Sequence, residues 1–190
     1  KGKIVFLDMA AVWNGEIKNS RMNGDGVLIF YVEDDNKNYN YDNLENAKVD
    51  YIYTGKVKNK KFNGEGKLEF VRKNKVKEGT FVDGKLNGQG TVVDEMGTLS
   101  GNFLDDTLDG IGEAIFYNGI KYVGGFKKGI LHGPGTLIQP RKNHIKEIEG
   151  IWVQGVLSYG TVIEKSLDNK YQGKYVGDLD GYRYHGKGKI

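Results

Sequence analysis

The chain has 190 residues, enough for one domain or one extended array. It carries 28 Lys and Arg against 25 Asp and Glu, a net charge of +3, which is too small to argue for a nucleic-acid partner. The absence of Cys excludes disulfides, cysteine zinc sites and thiol catalysis, and 29 Gly beside 2 Pro excludes a proline-rich linker. An aromatic content of 12% argues against disorder, and no apolar run approaches the ~20 residues of a membrane-spanning helix.

In chain order, residues 1–12 read as an apolar strand from Ile4 to Leu7 and a connection. Gly2-Lys3-Ile4-Val5-Phe6 looks like the tail of a repeat. The chain also closes in mid-pattern on Gly186-Lys187-Gly188-Lys189-Ile190, so we read it as a fragment of a longer protein. A first hairpin is predicted over about 13–30. Residues 31–52 break the period. They hold Glu33, Asp34, Asp35, Asp42, Glu45 and Asp50 against Lys37 and Lys48, and read as an acidic inserted loop.

Further hairpins are predicted at about 53–73, 77–94, 99–117, 122–139, 148–163 and 171–190. The clearest runs from Glu78 to Val93, where Asp83-Gly84 between apolar alternation signals a type I′ turn. That turn sets Phe81 opposite Leu86 and, by simple alternation, Gly79 opposite Gly88. A bare glycine pair marks the close approach of something bulky, expected here to be the aromatic of a neighbouring copy. Gly88→Val is accordingly expected to cost several times more stability than Gly84→Asn. Asn118-Gly119 reads as a second type I′ turn, Asn74-Lys75 as a linking turn, and 176–185 as a longer loop. The whole is an antiparallel meander without substantial helix, since glycine recurs too often for one.

The repeating unit is Trp13, Gly15, Ile17, Met22, Gly24, Gly26; then Tyr53, Gly55, Val57, Phe62, Gly64, Gly66; and most cleanly Tyr122, Gly124, Phe126, Leu131, Gly133, Gly135. These residues closely resemble the MORN (membrane occupation and recognition nexus) repeat, in about seven copies. Two departures stand out: Lys77 replaces the leading aromatic of the third copy, and the sixth lacks the first glycine of its Gly-x-Gly. The resemblance implies an all-β, elongated, single-layer sheet of stacked hairpins. It implies an intracellular, cytoplasmic interaction scaffold, associated with the cytoskeleton or a membrane. It also admits a regulatory module of a larger enzyme, of the SET-domain lysine methyltransferase or phosphatidylinositol phosphate kinase type.

From the residues themselves, a solenoid repeat buries its apolar face against its neighbours. Trp13, Tyr53, Tyr122 and Tyr171, with Leu99 and Ile148, form one expected ladder; Ile17, Val57, Phe81, Phe103, Phe126, Trp152 and Tyr175 form another. His132, His144 and His185 are scattered, and no phosphate loop or nucleophile elbow appears. We therefore expect no enzyme activity, cofactor or metal. The one charge cluster is a stripe of Lys58, Lys60, Lys61, Arg72, Lys73 and Lys75, suited to anionic lipid or an acidic partner. On the face opposite the glycines, Val27, Ile29, Val71, Val93, Ile115, Tyr117, Ile138 and Ile163 suggest an apolar stripe for a protein partner.

Overall fold

A computed structural model describes residues 1–6, 10–32, 47–166, 171–180 and 183–189, with side chains described through 166 and over 173–177. Most of the acidic 31–52 loop therefore lies outside the described residues. The described chain is strand throughout, apart from turns and one three-residue 3-10 segment, Val71–Lys73. It forms two compact units, Lys1–Glu95 and Met96–Ile190.

The first unit contains β1 (Gly2–Phe6), β2 (Ala11–Lys18), β3 (Arg21–Tyr31), β4 (Val49–Lys58), β5 (Lys61–Phe70), β6 (Lys75–Val82) and β7 (Lys85–Asp94). The second contains β8 (Gly97–Leu104), β9 (Thr107–Phe116), β10 (Lys121–Lys127), β11 (Ile130–Pro140), β12 (His144–Val153), β13 (Val156–Ser166), β14 (Tyr171–Asp180) and β15 (Arg183–Lys189). Within each unit every strand pairs antiparallel with its neighbours in the chain. Each unit is thus an all-β antiparallel meander.

The hairpin turns follow from their residues. Asp83 (φ 51°) and Gly84 (φ 92°) both take positive φ, as a type I′ turn requires, and Asn59-Lys60 and Lys128-Gly129 do the same. The links differ. Asn118 is not in the left-handed region, while Gly119 is, at φ 83°. The Gly119 amide donates to the Phe116 carbonyl at 2.8 Å. The connection is therefore a turn closed by a left-handed glycine, not the expected type I′ turn. At the other link, Asn74 closes the 3-10 segment at φ 46°. The expected longer loop at 176–185 is also corrected. β14 and β15 run through it, with Leu179 opposite Tyr184 and Asp180 opposite Arg183.

Register organises each unit. In the first, Gly2, Gly15, Gly26, Gly55, Gly66, Gly79 and Gly90 pair in succession across seven strands. In the second, Gly101, Gly112, Gly124, Gly135, Gly150, Gly160, Gly177 and Gly188 do the same. Gly79 thus faces Gly90, not Gly88. A bulge between Gly79 and Phe81 shifts the register, and Gly88 sits in it with φ 95°. The first glycine of each Gly-x-Gly serves the bulge, and the second serves the glycine row.

Beside each glycine row runs an apolar one. Trp13, Leu28, Tyr53 and Leu68 are cross-strand partners in the first unit, and Ala114, Tyr122, Leu137, Ile148, Val162 and Tyr175 in the second. All ten are buried. We call this glycine-bearing side the inner face of each unit. Full burial of a Leu, Val or Phe side chain stabilises by roughly 1.5–3 kcal/mol, so these rows are the main source of cohesion.

Candidate functional site

The ring over the glycines belongs to the same hairpin, not to a neighbour. A Cβ on Gly66 would lie 2.5 Å from the Tyr53 hydroxyl, and one on Gly135 would overlap the Tyr122 hydroxyl. The bare glycines leave room for these rings to lie flat along the sheet. Each ring then reaches a carbonyl in the bulge three residues on. Trp13 Nε1 donates to the Glu16 carbonyl at 3.0 Å, Tyr53 Oη to that of Lys56 at 2.9 Å, and Tyr122 Oη to that of Gly125 at 3.2 Å. A tyrosine or tryptophan is suited to this place because its tip carries a donor. Burial, aided by Asp25 and Glu65, pushes the Tyr53 hydroxyl up to about 12, and burial does the same to Tyr122.

Where the leading residue is not aromatic, leucine takes over. In the hairpin led by Lys77, a Cβ on Gly90 would lie 2.8 Å from Leu86 Cδ2. In the one led by Ile148, a Cβ on Gly150 would lie 2.8 Å from Leu157 Cδ1. Phe62 stacks on Tyr53 at 3.7 Å between ring centres, and Phe81 meets Tyr53 edge-on at 5.6 Å. Phe126 and Trp152 meet Tyr122 edge-on at 5.2 and 5.6 Å. Trp13, Tyr53, Phe81, Phe103, Tyr122, Phe126, Trp152 and Tyr175 are all buried, whereas the side chain of Tyr171 lies outside the described residues. Ile17 departs from its expected ladder. It is 39% exposed, because β1 pairs with β2 only as far as Gly15. With the described rings packed, and the tips of Trp13, Tyr53, Tyr122 and Trp152 hydrogen-bonded, these side chains are committed to packing.

The basic stripe divides. Lys58, Lys60 and Lys61 surround the tip of the β4–β5 hairpin, while Arg72 and Lys73 lie on the 3-10 segment at the opposite strand ends. Lys75, beside them, is half-buried and pairs with Asp94 at 3.1 Å. The structure therefore brings only Lys58, Lys60 and Lys61 together, and adds Lys18 and Arg21 from the tip of the preceding hairpin. Lys18, Asn19, Arg21, Asn23, Asn59 and Lys60 line a polar cleft of about 600 Å³. Charge counting along the chain could not find this cleft, because the acidic loop separates the two tips in sequence. Among the described residues no His, Cys, Asp and Glu cluster could hold a metal, and no helix is long and apolar enough to cross a membrane.

The glycine row recurs in both units, and the hairpins led by Trp13, Tyr53 and Tyr122 share a buried leading ring and a bulge glycine at the same spacing. The family model of the MORN repeat matches residues 53–75, 78–98 and 122–143. The chain carries MORN repeats. Their register extends beyond the matched segments: the hairpin of Leu99 to Phe116 pairs Gly101 with Gly112 and Phe103 with Leu108, as the matched hairpin of Tyr53 to Phe70 pairs Gly55 with Gly66 and Val57 with Phe62. No curated protein matches the sequence.

Outside the inner face, the two MORN units differ. Val27, Ile29, Val93, Ile138 and Ile163, expected as an exposed stripe, are half-buried. Ile115 is 40% exposed on its strand, and Val71 and Tyr117 lie in links. The most exposed apolar strand residues of the second unit lie nearer the hairpin tips. They include Ile111 at 63%, Leu104 at 58% and Tyr159 at 50%.

Proposed function

We propose that this MORN array is a non-catalytic interaction module that presents its strand surface to a protein partner in the cytoplasm, at the cytoskeleton or at a membrane. The observation that carries the reading is the exposed apolar surface of the second unit, where Ile111, Ile151 and Tyr159 stand 63%, 45% and 50% exposed. Solvent-facing apolar patches of this kind mark interaction sites. The buried aromatics are committed to packing, which favours recognition over chemistry. Coprecipitation of the intact chain from cell extract, with cross-linked partners identified by mass spectrometry, tests the reading. Reproducible cross-links to one polypeptide are expected, and cross-links to none overturn it. The same module fits as the regulatory part of a larger enzyme, in which case the cross-links fall within one polypeptide.

A second reading has its own observation. Lys18, Arg21 and Lys60 line an open cleft at neighbouring tips of the first unit, with Lys58 and Lys61 flanking the same turn and Lys61 near Asp83 at 3.9 Å. Each cation near an anionic bilayer contributes about 1 kcal/mol, which suits weak, salt-sensitive membrane association. Cosedimentation with phosphoinositide vesicles at low and physiological salt is the test. Changing all five residues to Gln should abolish pelleting, and equal pelleting would remove this reading.

A further inference from the structure

The repeats act as their own controls, because equivalent positions in different hairpins do the same structural work. On the outer face, the residue between the two glycines is Asp25, Glu65 and Gln89 in the first unit. In the β8–β13 hairpins of the second unit the same place holds Ile111, Pro134 and, where the bulge is shorter, Tyr159, whereas β15 has Lys187 there. The pairs flanking each tip turn follow suit. They are Lys18 with Arg21, Lys58 with Lys61 and Val82 with Lys85 in the first unit. In the second they are Leu104 with Thr107, Lys127 with Ile130 and Val153 with Val156 over β8–β13, and the charged pair Asp180 with Arg183 in β14–β15. The fold therefore accepts charge at these places, and packing does not require the apolar residues of the second unit.

Those residues form one patch. Ile111 pairs with Gly125, Pro134 with Ile151, and Ile151 with Tyr159, which makes a row across β9 to β13. Leu104, Ile130, Val153 and Val156 form a parallel row nearer the tips, each between 48% and 58% exposed. From β8 to β13 the patch spans five strand spacings, about 24 Å, and two rows make it about 10 Å wide. Its footprint of roughly 240 Å² falls short of the ~800 Å² per partner of a stable protein pair, so a second copy of this chain is a poor fit. It matches one α-helix about 10 Å across and about 16 residues long at ~1.5 Å per residue. Glu149 and Glu113, the latter holding Lys121 at 2.5 Å, flank the row away from the tips. On the tip side Lys127 and Lys128 stand among Asp105, Asp106 and Asp109.

We infer that the outer face of β8–β13 docks an amphipathic helix of a protein partner through Leu104, Ile111, Ile130, Ile151, Val156 and Tyr159. Along the flank of its apolar stripe that faces Glu149 the helix carries basic residues. This surface rests on the protein-binding reading above and specifies it.

The probe is a displayed library of random 16-residue peptides, selected on the intact chain. Enriched peptides are expected to space apolar residues at i, i+3 or i+4, and i+7, and to gain helical circular dichroism on binding. The discriminating variant imports the polar character of the first unit: Ile111→Glu, Ile151→Lys and Tyr159→Gln. It should keep the wild-type melting temperature within a few degrees and bind at least tenfold more weakly. Leu104→Lys with Val156→Lys, on the tip row, should weaken binding alike and covers the case in which the triple variant unfolds. Selected peptides that bind both variants as well as wild type would overturn the surface assignment while leaving protein recognition standing. Selected peptides with strict two-residue alternation would overturn the helix. Wild-type dimerisation in sedimentation, lost in the variants, would make a second copy the occupant. Failure to enrich any peptide would overturn the helix-docking surface, whereas the absence of every cross-link from the intact chain in cell extract would overturn protein binding itself.

Discussion

Gly66 and Gly84 show how differently two glycines serve one fold. A Cβ at Gly66 collides with a ring that is buried and hydrogen-bonded, whereas one at Gly84 meets nothing within 4 Å. Gly66→Ala is therefore expected to cost about 1–3 kcal/mol through overpacking. Gly84→Asn should stay within about 0.5 kcal/mol, since Asn tolerates a left-handed turn position. Urea midpoints compare the two. Gly88 is a third kind: its Cβ would meet only Thr80, at 3.7 Å, but its φ is 95°. Gly88→Val should still destabilise, by about 1–2 kcal/mol, through backbone conformation and not through a clash, and Gly88→Asn should recover part of the loss. The buried tyrosines set an alkaline limit. The Tyr53 and Tyr122 hydroxyls lose protons at 10.0 in the unfolded chain and at about 12 when folded. The folded state thus holds more protons between those values, and its stability is full below pH 10 and falls as pH rises toward 12. Urea midpoints across that window, with tyrosinate absorbance as the titration readout, should decline. Flat midpoints would contradict the burial of these hydroxyls.

At the scale of strands and turns, much of the hairpin plan was legible. Asp83-Gly84 named its turn because few residue pairs accept positive φ twice, and the glycine spacing named the repeats. Two features were not legible. Two glycines one residue apart look alike in a sequence, yet Gly88 occupies a bulge and Gly90 a cross-strand row, so alternation alone placed Gly79 opposite the wrong one. The split of the basic stripe follows from an antiparallel path, which sends Lys60 and Lys73 to opposite strand ends, and the partnership of Lys18 and Arg21 with Lys60 crosses the inserted loop. The apolar patch did have a sequence signal, the identity of the residue inside each Gly-x-Gly, but that signal means something only once this residue is known to face outward. The link at Asn74 offers a test at this scale. Its φ of 46° is left-handed, so Asn74→Val should cost about 1–2 kcal/mol and Asn74→Gly almost nothing. Equal thermal midpoints for the two would argue that the 3-10 link is not formed.

At the scale of the whole molecule, inner faces built to one plan carry outer faces of different character. In the first unit the tip positions are mostly basic, with Lys18, Arg21, Lys58, Lys61 and Lys85; over β8–β13 of the second they are mostly apolar, with Leu104, Ile130, Val153 and Val156. A repeat array can diversify in this way because packing constrains one side of each strand and leaves the other to vary. The central claim is that the divergent apolar face recognises a polypeptide. Replacing Tyr159 by a photoreactive amino acid, with Lys60 and the buried Val162 as comparison positions, and irradiating the intact chain in cell extract tests it most directly. The account predicts a discrete polypeptide adduct from position 159 and none from 162. No adduct from 159, or adducts only from position 60 and only to lipid, would contradict it.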